Sequence, residues 1–250
     1  MTTTAKASAL SLGRLARKRL YFAHQSVGAN ILEGVRDVLS DSSPRPLRIV
    51  QTRELATLEG PVFAHSRIGR NGDPGSKLEE FTDVVSRSAP AGVDVALLKF
   101  CFVDFDGGRD AGDVFRRYAE TFARLRDAFP GTTFVHVTVP LTGNPAGLRW
   151  AVRNVVKRVV GRHVRSPEDN RTICAFNALL RDRYAGREPV FDLAALESTR
   201  ADGTWVSVED GGLTLFSLAS EYTSDGGHLN ETGRLVVARA LLQFLEALPT

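Results

Sequence analysis

RLYFAHQSVGANILEGVRDVL, residues 19–39, changes its hydrophobic period part-way along. Arg19 to Ala23 reads as a short strand. From Val27 onward the apolar residues Val27, Ile31, Val35 and Val38/Leu39 are spaced for one face of a helix. Ser26 therefore sits where a strand hands over to a helix. The same alternation recurs downstream. Leu47 to Thr52 predicts a second strand after the Ser42-Ser43-Pro44 break, and Lys77 to Val85 predicts a helix. DVALLKFCFV, residues 94–103, is nearly continuously apolar, as a central strand covered on both faces must be. Phe115, Tyr118, Phe122, Leu125 and Phe129 form a helical stripe stopped by Pro130-Gly131. Thr132–Val139 and Pro189–Leu193 read as strands, and Asn170–Tyr184 and Thr232–Leu248 as helices. The segment between, HSRIGRNGDPG at 65–75, is so rich in Gly, Asn, Asp and Pro that it predicts a tight loop exposing its backbone.

Strands alternating with helices imply an α/β fold in three layers, with helices on both faces of a mostly parallel sheet. Ligands of such sheets gather beyond the carboxyl ends of the strands. Ser26, the 65–75 loop, Asp104 and the loop before the last helix would all lie there.

The bulk composition fits that fold. The chain has 250 residues, 43% of them hydrophobic and 24% charged, enough to bury one large core. Residues 1–18 are expected to be a flexible basic segment, and residues 19–250 a single domain. The net charge of +3 is too slight to argue for a nucleic-acid partner, and none is expected. Cys101 and Cys174 have no metal-ligand spacing and suggest two thiols in a reducing compartment. A signal peptide places its charges before an apolar stretch, whereas here Ala9 to Leu12 is short and precedes Arg14, Arg17, Lys18 and Arg19. No segment approaches the roughly 18 to 20 apolar residues of a transmembrane span. A cytoplasmic location is the expectation.

The chemistry concentrates in Ser26 and in SDGGHLN, residues 224–230. A serine hydroxyl is a weak nucleophile at neutral pH and needs a base within hydrogen-bond reach. His228 is suited to that role because its ordinary pKa lies near neutrality. Asp225, three residues earlier across Gly226-Gly227, is placed to fix the imidazole tautomer and stabilise the imidazolium. The competing readings are structural: Ser26 as N-cap of the helix at Val27, with Asn230 and Thr232 as caps of the last helix.

His24-Gln25-Ser26-Val27 after the first strand, a Gly/Asn loop at Gly69 to Gly72, and Asp225-x-x-His228 before the last helix together resemble the SGNH (GDSL-type) hydrolases. The resemblance runs in order over most of the chain. It implies a flavodoxin-like fold, Ser26 as nucleophile, His228 as general base, ester substrates and no cofactor. It also implies an oxyanion hole made by the Ser26 amide, a loop glycine (Gly69, with Gly72 as the alternative) and an asparagine. Two blocks depart from the pattern. The first usually reads Gly-Asp-Ser-Leu. The third usually reads Gly-x-Asn-Asp, whereas Phe100-Cys101-Phe102-Val103-Asp104 has no asparagine. Losing one oxyanion donor costs about a hundred- to a thousand-fold in rate. Either Asn71 substitutes from the neighbouring loop, or Asn71 is a turn residue beside Gly72 and the hole is incomplete.

Other polar residues near the expected site are candidates for substrate contact: His24, Gln25, His65 and Asp104. The default for Asp104 is an ion pair with an arginine, and for Cys101 and His136 a structural place. A metal held by His24, His65, Asp73 and His228 has no recognisable ligand spacing, so no metal is expected. LRWAVRNVVKRVVGRHVR, residues 148–165, departs from the rest, with Trp150, Val155, Val156, Val159 and Val160 interleaved with Arg149, Arg153, Lys157, Arg158, Arg162 and Arg165. It reads as a basic helical insertion at about 143–169: either a solvated face, or an amphipathic cap that attracts an anionic carrier, a phosphorylated substrate or an anionic membrane surface. The favoured activity is hydrolysis of a small-molecule or carbohydrate ester. Acyl transfer by the same triad and a non-catalytic binding protein are the alternatives. An unrelated α/β-hydrolase is disfavoured because Ser26 lacks the first glycine of Gly-x-Ser-x-Gly.

Overall fold

The computed structural model describes residues 12–40, 47–88, 92–106, 108–143 and 170–249. The first eleven residues and almost all of the basic insertion lie outside the described residues.

The run that decides the fold behaves as its period demands. Strand β1 (Arg19–His24) is buried from Leu20 onward, and helix α1 (Val27–Leu39) turns Val27, Ile31, Val35 and Leu39 inward. There follow β2 (Ile49–Gln51), β3 (Val62–Arg67), α2 (Pro74–Ser88), β4 (Val95–Leu98), α3 (Ala111–Ala128), β5 (Thr133–Val137), α4 (Arg171–Tyr184), β6 (Val190–Phe191) and α5 (Leu193–Ser198). A hairpin of β7 (Ser207–Asp210) and β8 (Leu213–Phe216) precedes the last helix, α6 (Glu231–Ala247).

The main sheet has the order β2-β3-β1-β4-β5-β6, and every pairing in it is parallel. From β1 the chain crosses to the edge at β2, fills in β3 between them, and then lays β4 against the other side of β1. The topological switch point therefore falls between the carboxyl ends of β1 and β4, where such sheets hold their ligands. On one face α1 packs on α6, with α5 beside it. On the other, α2 packs on α3 and α3 on α4. Phe81 of α2 stacks with Tyr21 and Phe122, and Tyr118 of α3 with Phe122, carrying the core through the sheet's second face.

Gly34 fixes how close α1 and α6 come. A Cβ there would collide with the Arg234 carbonyl, and Arg234 itself reaches back to Asp37 at 2.9 Å and Glu33 at 3.4 Å. Because Ser26 precedes α1 and His228 precedes α6, this helix pair brings the two together.

The structure departs from the expected elements in four places. His65, Ser66 and Arg67 are not loop but the end of β3. Their polar character hides a buried strand because Ser66 Oγ is satisfied by Tyr21 Oη at 2.7 Å and His65 by His24. The apolar run at 94–103 is strand only to Leu98, then turns through a short 3₁₀ segment at Phe102–Phe105. The β7–β8 hairpin and α5 were not anticipated. Residues 12–18, expected to be flexible, are packed: Leu12 and Leu15 are buried, and the amides of Arg14 and Leu15 donate to Glu246 at 3.0 and 2.8 Å.

Candidate active site

Ser26 occupies the tight turn from β1 into α1 with φ 46° and ψ −107°, and it alone among the described non-glycine residues has a positive φ. That conformation is strained for a residue with a Cβ and persists only where the surroundings impose it. Gly28 makes the turn possible: a Cβ there would run into the His24 side chain. Ser26 does not cap the helix. Its Oγ lies 2.6 Å from His228 Nε2 instead.

His228 is held from its other side. Its Nδ1 is 2.7 Å from Asp225 Oδ2, while Asp225 Oδ1 accepts the amides of His228 at 2.8 Å and Gly227 at 2.9 Å. Burial alone would raise the Asp225 pKa. The hydrogen bonds from His228 and Gly227 outweigh it and hold the carboxyl below its ordinary value. An ionised Asp225 accepts from Nδ1–H, which leaves Nε2 as the acceptor facing the serine hydroxyl. Gly226, at φ +86°, supplies the turn, and its amide donates to Thr223 Oγ1 at 2.9 Å. Asn230 caps α6 through the Gly233 amide at 3.0 Å. Phe102 meets the His228 ring edge-on at 6.1 Å. The side chains of His228 and Asp225 are each 47% exposed, so the dyad faces solvent.

The loop from Ile68 to Asp73 forms the opposite wall. Gln25 Nε2 ties it down by donating to the carbonyls of Ile68 and Gly69 at 2.9 and 3.1 Å. Side chains engage three of its amides: Gly69 with Glu80 Oε2 at 2.6 Å, Arg70 with Ser76 Oγ at 2.9 Å, and Gly72 with Asp104 Oδ1 at 2.9 Å; those of Ile68 and Asp73 donate to the His24 and Arg70 carbonyls at 3.1 and 3.2 Å. Neither loop glycine thus offers a free N–H, and Gly69 does not fill the oxyanion place expected of it. The amides of Ser26 and Asn71 have no acceptor among the described residues. Asn71 Oδ1 accepts from Lys77 Nζ at 3.2 Å, which turns its Nδ2 donors away from the lysine.

The residues expected to touch substrate are otherwise employed. His24 and His65 are buried against each other, Nε2 to Nδ1 at 3.1 Å, with Arg36 3.3 Å from His65 Nε2. Burial, reinforced by Lys99 and other cations, pushes the His24 pKa down to about 2, and burial with Arg36 and Arg67 takes His65 to about 4. Both are neutral structural histidines. Gln25 is the loop tie just described. Asp104 is fully buried and pairs with Lys77 at 2.5 Å, not with an arginine. Its Oδ2 also accepts the Cys101 amide at 2.7 Å. Among the described residues no group of three His, Cys, Asp or Glu side chains is arranged to hold a metal.

Sequence reasoning missed the buried lysines, Lys77 and Lys99, both with no exposed surface. Lys77 packs against Gly69 and lies in a polar stretch that gives no signal of its burial, whereas Lys99 follows the β4 run and stands out as a lone charge in an apolar pattern.

Comparison with known proteins locates the fold. No protein-family model matches the chain, and no curated protein matches it. Solved structures do. A GDSL-like lipase from Bacteroides thetaiotaomicron superposes with a TM-score of 0.54 at 14% identity, covering 96% of this chain and 94% of its own. The periplasmic domain of a lipopolysaccharide acetyltransferase from Salmonella ser. Paratyphi A gives 0.54 at 12%, covering 92% and 83%. With a six-stranded parallel sheet between helices and matches of this breadth, the chain has the fold of the SGNH (GDSL-type) hydrolases.

Proposed function

We propose that the protein is a serine ester hydrolase that carries its acyl group on Ser26. The observation behind this reading is the unbroken chain from Ser26 Oγ to His228 Nε2 at 2.6 Å and from His228 Nδ1 to Asp225 Oδ2 at 2.7 Å. In the reaction Ser26 Oγ attacks the acyl carbonyl while His228 takes its proton, then returns that proton to the departing alcohol. Water, activated by the same histidine, releases the acid. Asp225 keeps Nδ1 protonated throughout and stabilises the imidazolium. The oxyanion is met by the Ser26 N–H and by Asn71, in place of the asparagine absent after β4.

The substrate class is a small-molecule or carbohydrate ester. The half-exposed His228 and Asp225 support it, since they leave room for a polar alcohol and for water. That openness favours water over a second alcohol as acceptor, so hydrolysis ranks above acyl transfer, although the Salmonella neighbour is named an acetyltransferase. Among the described residues no helix is long and apolar enough to cross a membrane. The free thiols Cys101 and Cys174 support the cytoplasmic assignment.

The deciding experiment is release of p-nitrophenol from acetyl, butyryl and octanoyl esters by wild type, Ser26→Ala and His228→Ala. Turnover in wild type that collapses in both variants is the expected result. Turnover indifferent to Ser26 would refute the reading.

A further inference from the structure

Lys99 lies just beyond the carboxyl end of β4, and its side chain is fully buried. Its Nζ donates at 2.7 Å to the Gln25 carbonyl, which also accepts the Gly28 amide at 3.0 Å, and Cys101 Sγ lies 4.0 Å from the lysine. Among the described residues no carboxylate pairs with it directly; Asp104, Glu197 and Lys77 act on it at longer range. Lysines are rarely buried without a partner, and an ammonium taken out of water costs several kcal/mol. Fold stability therefore gives no reason for a lysine here, where a leucine or methionine would pack.

The reason lies in what its acceptor belongs to. The Gln25 carbonyl and the Ser26 N–H are two ends of one peptide unit. A trans peptide is planar and points these groups in opposite directions, so a donor fixed on the carbonyl orients the N–H on the far side. It also polarises it, because hydrogen bonds in series strengthen one another. The Ser26 N–H has no acceptor among the described residues, and Ser26 holds its positive φ at this same peptide.

We propose that Lys99 is a positioning residue of the oxyanion hole: by donating to the Gln25 carbonyl beside the Gly28 amide it completes the fixing of the Gln25–Ser26 peptide plane and strengthens the Ser26 N–H that meets the oxyanion. The proposal rests on Ser26 being the nucleophile of an ester hydrolase. It supplies, beside Asn71, a second compensation for the asparagine missing after β4.

The test is Lys99→Met, which keeps length and removes the donor, with Lys99→Gln, which restores a neutral one. In Lys99→Met kcat is expected to fall about tenfold to a hundredfold, less than the loss of a whole oxyanion donor. KM should stay within about twofold of wild type, since only the transition state uses the N–H fully. The inhibition constant of a trifluoromethyl ketone, which forms an oxyanion on Ser26, should rise by the factor that kcat/KM falls. Lys99→Gln should recover part of both, and it carries the test alone if Lys99→Met does not fold. A folded variant with unchanged kcat and ketone affinity overturns the proposal. So does a fall in kcat without a matching loss of ketone affinity, which marks a purely structural role. Wild type that neither turns over esters nor takes a fluorophosphonate on Ser26 overturns the hydrolase reading and this proposal together, whereas active wild type with indifferent Lys99 variants overturns the proposal alone.

Discussion

Mild acid should destabilise the protein well above the range in which carboxylates protonate. His24, His65 and His136 are buried and neutral: burial pushes their pKa values down to about 2, about 4 and about 4, the last despite Glu188 beside it. A base whose folded pKa is depressed binds fewer protons folded than unfolded, so stability is full above about 6.5 and lost as pH falls towards the folded values. At pH 5 each unfolded imidazole gains about 2 kcal/mol that the folded one does not, or about 6 kcal/mol for the three. One group opposes them. Burial raises the Glu197 carboxyl to about 8, so it is protonated in the fold and ionised in the unfolded chain. Its destabilisation shrinks by about 3 kcal/mol between pH 7.5 and pH 5. The net loss is about 3 kcal/mol, a large part of the usual 5 to 15. In urea at 25 °C this should lower the unfolding midpoint by about 1 M between pH 7.5 and pH 5. Glu197→Gln, which can still accept the Leu141 amide now 2.6 Å from Glu197 Oε2, should roughly double that shift by removing the opposing group. A midpoint equal or higher at pH 5 in both proteins would refute the assignment of neutral buried histidines.

Three further outcomes are expected. Asp225→Asn keeps the size of the side chain but no longer fixes Nδ1–H, and should lower kcat by about 10⁴-fold with little change in melting temperature. Asn71→Ala should cost about 10² to 10³ in kcat if Asn71 meets the oxyanion; a loss under about fivefold would leave it a turn residue. Lys77→Met strands the buried Asp104 carboxylate and should cost about 3 to 5 kcal/mol in urea unfolding, partly recovered in the double variant with Asp104→Asn.

The strand-to-helix hand-over at Ser26 is legible because both elements obey a strong apolar period, and the Asp225-Gly-Gly-His228 block because a short loop holds two of the three side chains that meet. β3 was not legible. Its Ala64-His65-Ser66-Arg67 end looks polar, and only the partners Tyr21 and His24, more than forty residues away, make it a buried strand. The partner of Asp104 is hidden for the same reason: the lysine that claims it comes from α2, not from its own segment. Residue type alone points to Gly69, yet the direction of its N–H is decided by Glu80, eleven residues on.

What escaped the sequence has a common physical cause. Periodicity reports which residues leave water, but not which polar groups meet once they have left it. Around the Ile68–Asp73 loop those meetings fix the geometry. Asp104 accepts one amide from the loop, at Gly72, and one from the turn after β4, at Cys101, while Lys77 spans from Asp104 to Asn71. A buried ion pair of this kind adds little to stability over apolar packing, because desolvation offsets the attraction. Its effect here is directional: each engaged amide is withdrawn from any ligand at this edge, and in the proposed reaction it is one the oxyanion cannot use. The same logic extends to Gln25, whose side chain holds the loop and whose carbonyl is held by Lys99 and the Gly28 amide. The carboxyl edge of β1 and β4 thus has many of its donors engaged by buried charge, while the amides of Ser26 and Asn71 have no acceptor among the described residues.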